Sequence, residues 1–101
     1  MSIESRKNIP ELLKKNLGLF DSFDQVYLFG SSLDQHLIPN DIDILLVYTE
    51  YSHRIKESTS RIYEEFGKAT DMSIDLTVLS VEEITSTSFL NRISPNYMRI
   101  K

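Results

Sequence analysis

The chain has 101 residues, with 11 Lys or Arg against 15 Asp or Glu, a formal net charge of −4 and no cysteine. That length predicts one domain over residues 1–101 with a real core. The missing cysteines exclude disulfide scaffolds, Cys-zinc sites and thiol catalysis, and the acidic balance argues against a general nucleic-acid binder, which carries a basic face. The opening MSIESRKNIP lacks a signal-peptide core and no apolar run reaches spanning length, so the expectation is a cytoplasmic protein with no membrane partner.

Ile9, Leu12, Leu13, Asn16, Leu17 and Phe20 follow helical spacing, with Pro10 in the first turn and Gly18 as the C-terminal stop. Val26 to Phe29 is short, apolar and β-prone, which predicts a first strand over about 25–29. Ser31 to His36 reads as a short helical turn, and Ile38-Pro39-Asn40 leads into a second strand over about 42–48. Ile55, Thr59, Ile62, Tyr63 and Phe66 mark an amphipathic helix ending near Gly67. Ile74 to Leu79 is a third strand, and Ser80-Val81-Glu82-Glu83 is a capping box that opens another helix. Ser94-Pro95-Asn96 is a turn before a short terminal strand, Tyr97 to Ile100. No repeat, linker or low-complexity segment interrupts this order. It predicts an α/β (α+β) layer fold, a small mixed sheet with helices packed mainly on one face.

The spacing of Gly30-Ser31 and Asp41-Ile42-Asp43 carries the chemistry. The glycine ends one strand and the two aspartates open the next. Residues i and i+2 of a strand share a face, with Cα atoms about 6–7 Å apart. Two carboxylates so placed can converge on divalent ions, as phosphoryl and nucleotidyl transfer require. No Lys or Arg occurs between Lys15 and Arg54, while Asp21, Asp24, Asp34, Asp41, Asp43 and Glu50 fall in that gap. Side by side without a basic neighbour, Asp41 and Asp43 repel, and Mg²⁺ is the hard cation that relieves such a pair. The amides after Gly30 and the Ser31 hydroxyl suit an anion cradle.

With Asp75 isolated in SIDLTVLS, these residues make the chain resemble the minimal nucleotidyltransferases of the DNA polymerase β superfamily over about residues 9 to 80. The resemblance implies a polymerase-β-like fold in which Asp41, Asp43 and Asp75 hold two Mg²⁺ (Mn²⁺ as the substitute) and act as the catalytic acids. Gly30, Ser31 and Ser32 then bind the triphosphate of ATP or another NTP. A nucleoside monophosphate passes to a hydroxyl acceptor and pyrophosphate leaves. Small members often accompany an all-helical partner protein, some as toxin and antitoxin, so the resemblance also implies a helical partner or a homo-oligomer. The alternative is a degenerate transferase fold acting as an antitoxin-like binding subunit. The first of three departures from the family pattern favours it. Ser32, Leu33, Asp34 and Gln35 stand where relatives often carry Arg or Lys after the turn; no glycine occurs between Gly30 and Asp41; and Asn40 stands where a serine is common.

The remaining candidates have plainer readings. Asp71 is the rival third acid, but it precedes the strand and reads as a turn residue. His36 and His53 are not at metal-ligand spacing and read as surface residues, His36 with the option of lining the nucleotide entrance. Arg6, Lys7, Lys14 and Lys15 read as a solvated helix face that could still approach a triphosphate. Tyr48, Tyr51 and Tyr63 read as packing aromatics, any of which could stack on a base.

Overall fold

A computed structural model describes residues 9–33 and 41–101, apart from the side chains of Ser31 and Ser32. The elements are α1 (Ile9–Lys15), a 3₁₀ turn (Leu17–Phe20), β1 (Gln25–Phe29), a second 3₁₀ turn (Gly30–Leu33), β2 (Asp41–Tyr48), α2 (His53–Thr70), β3 (Ser73–Ser80), α3 (Val81–Thr87), α4 (Phe89–Ile93) and β4 (Tyr97–Arg99). The expected turn beyond Leu33, including His36, and the lead-in 38–40 lie outside the described residues.

The strands form one mixed sheet in the order β3-β2-β1-β4. β1 runs antiparallel to β2 and to β4, whereas β2 and β3 are parallel. A parallel pair needs a long crossover, and α2 supplies it. Ile55, Ile62, Phe66 and Thr70 of α2 are buried, a stripe at helical spacing. Ile55, Ile62 and Phe66 pack with Ile9 and Leu13 of α1 and Phe20 against Val26, Leu28, Ile42, Ile44 and Leu46 of the sheet. Each such aliphatic or aromatic side chain contributes about 1.5–3 kcal/mol by leaving water. The rings of Phe20 and Phe66 stack at 5.8 Å.

The single helix expected after Ser80 is two, α3 and α4, broken at Ser88, the terminal strand stops at Arg99, and two helix ends also differ from the sequence expectation. The first helix ends at Lys15 and gives way to the 3₁₀ turn before Gly18. The Asn16 amide donates to the Leu12 carbonyl at 2.8 Å, which closes the helix early, and the tighter turn swings Phe20 into the core. α2 runs past Gly67 to Thr70. Its cap is Asp71, at φ 55°, whose N–H donates to the Gly67 carbonyl at 3.0 Å. An Asp tolerates this left-handed position better than most residues, so the glycine was not needed as the stop. The Ser80 capping box is present in full: the Glu83 N–H donates to Ser80 Oγ at 3.1 Å and the Ser80 N–H to Glu83 Oε1 at 3.0 Å.

The opposite face of the sheet is also partly covered. Tyr27, Leu45 and Val47 form a second, smaller core with Phe29, Leu79, Ile84, Phe89 and Leu90. The last three come from α3 and α4. This cover is needed because β2 is apolar on both faces along Ile44 to Val47, and both-face burial is what a continuous apolar run signals.

Candidate active site

The strand register places the acids. Asp43 lies directly beside Asp75 across the parallel β2–β3 pair, and Asp41 lies beside Ser73. Register neighbours share a face, as do i and i+2. Asp41, Asp43 and Asp75 therefore stand on one face at one end of the sheet. It is the face of the smaller core, just beyond the reach of its apolar cover. Asp41 and Asp75 are exposed and Asp43 is half-buried.

The electrostatics follow from that crowding. The Asp43 carboxyl is pushed above its ordinary value, first by burial, then by the charges of Asp75 and Asp41, and by a side-chain hydrogen bond with Asp75. Every named influence on it disfavours its charge. A hard cation would offset the repulsion among the acids, and three carboxylates are the donor set such an ion takes. Among the described residues, no group of three or more Asp, Glu, His or Cys is drawn tightly enough to form a ready ion cage. In donor chemistry the set suits a divalent ion.

Gly30 is fixed here on two counts. Its φ of +79° is a backbone region costly to any side chain, and a Cβ added at Gly30 would collide with the Asp43 carboxylate. The turn backbone thus abuts the acid directly. Phe29, the residue before it, opposes Asp43 across β1–β2. The Gly30 N–H donates to the Asn96 carbonyl at 3.3 Å, so an anion at this turn must be met by amides further along. The side chains of Ser31 and Ser32, the other expected phosphate contacts, lie outside the described residues.

Asp71 sits outside β3 as the cap of α2, away from the Asp43–Asp75 register pair. His53 opens α2, at the end where β2 finishes, and is exposed; His36 lies outside the described residues. Lys14 and Lys15 are exposed in the last turn of α1, and Arg6 and Lys7 lie outside the described residues. Tyr48 and Tyr51 meet edge-on at 5.8 Å, and Tyr63 is largely exposed. Sequence reasoning did not anticipate the Asn96 contact or the approach of α4, where Phe89 meets the Phe29 ring edge-on at 5.8 Å. The aromatic at position 89, one residue after the break between two short helices, was the available signal.

No protein-family model matches the chain, and no curated protein matches it. Solved structures do. A complex of a tri-AMPylated Shewanella oneidensis HEPN toxin with an MNT antitoxin is 18% identical, with a TM-score of 0.57 over 99% of this chain and 72% of that one. A toxin–antitoxin structure with AMP-PNP is 20% identical, with a TM-score of 0.56 over 100% and 73%. A candidate nucleotidyltransferase from Sulfolobus solfataricus is 23% identical, with a TM-score of 0.58 over 96% and 83%. At these identities the likeness is one of fold. The chain has a minimal nucleotidyltransferase-like fold, of the kind found in structures of toxin–antitoxin proteins.

Among the described residues, no helix is long and apolar enough to cross a membrane.

Proposed function

We propose that this chain is a Mg²⁺-dependent nucleotidyltransferase that moves a nucleoside monophosphate from ATP or another NTP to a hydroxyl on a partner protein. The observation that carries it is the register pair Asp43–Asp75, with Asp41 on the same face and Gly30 against the Asp43 carboxylate. Asp41, Asp43 and Asp75 would hold the ions. Bound there, Mg²⁺ would supply charge neutralisation for the transferring phosphoryl group. Asp75 accepts the acceptor hydroxyl's proton as that oxygen bonds to the α-phosphorus. The bond from the α-phosphorus to the bridging oxygen breaks, and pyrophosphate leaves with the electron pair. The backbone after Gly30 orients the leaving phosphates. A protein acceptor is suggested by the fold neighbours, one of them a complex with a tri-AMPylated toxin.

The test has two arms. Mg²⁺ should raise the melting temperature, ATP should raise it further only with metal, and Asp41→Asn with Asp43→Asn should abolish both responses. Ligand at a hundredfold excess over Kd stabilises by about 2.7 kcal/mol, which is readily measured. In the second arm, labelled ATP and the candidate partner should give label on a partner Tyr, Ser or Thr that Asp41→Asn eliminates. An identical nucleotide response in wild type and double mutant would place binding elsewhere.

A contact-only antitoxin is the second reading. It is favoured by one observation, the absence of any Lys or Arg between the Gly30 turn and Arg54. Inhibition of the partner that is equally strong without ATP and with Asp41→Asn would establish it.

A further inference from the structure

The stretch after Gly30 holds no cation before Arg54, yet a leaving pyrophosphate gathers charge as its bond breaks, and a guanidinium is the side chain best shaped to receive it. Two arginines from the far end of the chain lie on the acid-bearing side of the sheet. They differ in position and in what they already do.

Arg92 is on α4. That helix joins the smaller core through Phe89 and Leu90, and Phe89 touches Phe29, the residue opposite Asp43. Four residues after Arg92, the Asn96 carbonyl takes the Gly30 N–H. So α4 and the turn after it are tied, before and after Arg92, to the Phe29–Gly30 corner of the site. A helix of this length spans only about 7–8 Å, which keeps Arg92 near that corner. Phe89, Leu90 and Ile93 are half-buried, whereas Arg92 is exposed. Among the described residues its guanidinium has no hydrogen-bond or ion-pair partner.

Arg99 is on β4, opposite Tyr27, one pleat further from the acids than Tyr97, which opposes Phe29. Its guanidinium lies over the Tyr27 ring at 5.9 Å, and its Nε donates to the Lys101 carbonyl at 2.9 Å. It is engaged, and on the side away from the turn.

We propose that Arg92 binds the β- and γ-phosphates of the nucleotide, supplying from α4 the cation that the Gly30 turn lacks. This rests on the transferase reading. It would make the site complete in phosphate-binding charge within one chain, without a cation from the partner.

The test is calorimetric titration of wild type, Arg92→Gln, Arg92→Lys and Arg99→Gln with Mg²⁺-ATP and with Mg²⁺ and inorganic triphosphate, with circular dichroism melts to verify folding. Arg92→Gln should weaken both ligands by about tenfold or more, Arg92→Lys by less, and Arg99→Gln by no more than about twofold. Equal affinity in wild type and Arg92→Gln, or as large a loss in Arg99→Gln, would overturn the assignment and leave the transferase reading standing. A loss for ATP without a loss for inorganic triphosphate would also overturn it, by placing Arg92 at the nucleoside. Failure of wild type to bind ATP with metal would instead remove the transferase reading, and this inference with it.

Discussion

The two faces of the sheet are built for different work. One is closed from end to end by α1, α2 and the 3₁₀ turn, with Ile9, Leu13, Phe20, Ile42, Ile44 and Ile62 fully buried. The other is closed along Tyr27, Phe29, Leu45, Val47 and Leu79, and at the end where β2 begins it presents carboxylates. In a protein this small, one fully closed face supplies the larger core. The other can then carry groups that repel one another, because its partial core still anchors the strands that hold them.

The widest test of this contrast is a pair of truncations. Phe66→Ala empties a site on the closed face and should cost about 3–5 kcal/mol, whereas Leu90→Ala, at a half-buried position on the other, should cost less than about 2 kcal/mol. Urea denaturation measures both; equal losses would erase the distinction between the faces. Gly30→Ala should come next. The left-handed backbone alone costs roughly 1–2 kcal/mol, and the new methyl meets the Asp43 carboxylate, so loss of the Mg²⁺ response should accompany the loss of stability. Retained metal binding in a stably folded Gly30→Ala variant would show that the turn and Asp43 are not one unit.

Smaller effects sharpen the picture. Ser80→Ala removes the capping box and should lower stability by about 1 kcal/mol, with hydrogen exchange rising in α3 and not in α2. Asp43→Asn should slightly stabilise the metal-free chain. The sign follows from linkage. Asp43 is held above its ordinary value, so the folded state binds its proton more readily than the unfolded one. Its contribution favours folding at low pH and is lost as pH rises from about 3.9, the ordinary carboxylate value, through the raised folded one. Denaturation midpoints across that range should decline less steeply in Asp43→Asn than in wild type; parallel curves would show that the crowding at Asp43 has no energetic consequence.

Much of this arrangement was legible in the chain. The strands β1, β2 and β3 fall within a residue of their expected bounds, because apolar patterning and β-branched residues mark strands directly. The pattern within β2 says more. Asp41-Ile42-Asp43 alternates, and that segment is covered on one side only; Ile44 to Val47 does not alternate, and there both faces are buried. The change from alternating to continuous apolarity marks where the acid-bearing opening meets the second core. Less legible were the helix ends at Lys15 and Thr70, decided by the Asn16 amide and by Asp71 rather than by the glycines. The break between α3 and α4 at Ser88, φ 54°, carries no sequence signature. The approach of α4 to Phe29 is a long-range contact, and local periodicity does not encode such pairings.

The bond from the Gly30 N–H to the Asn96 carbonyl gives the molecule a built-in gauge. This amide can exchange its proton with solvent only when the 94–97 segment lifts away from the turn. Its exchange rate therefore reads how often the C-terminal strand undocks from the corner that holds Asp43. A nucleotide binding at this corner as proposed should slow that exchange, while exchange at the Ile62 amide in the middle of α2 stays as it was. One backbone proton would then report closure of the whole corner.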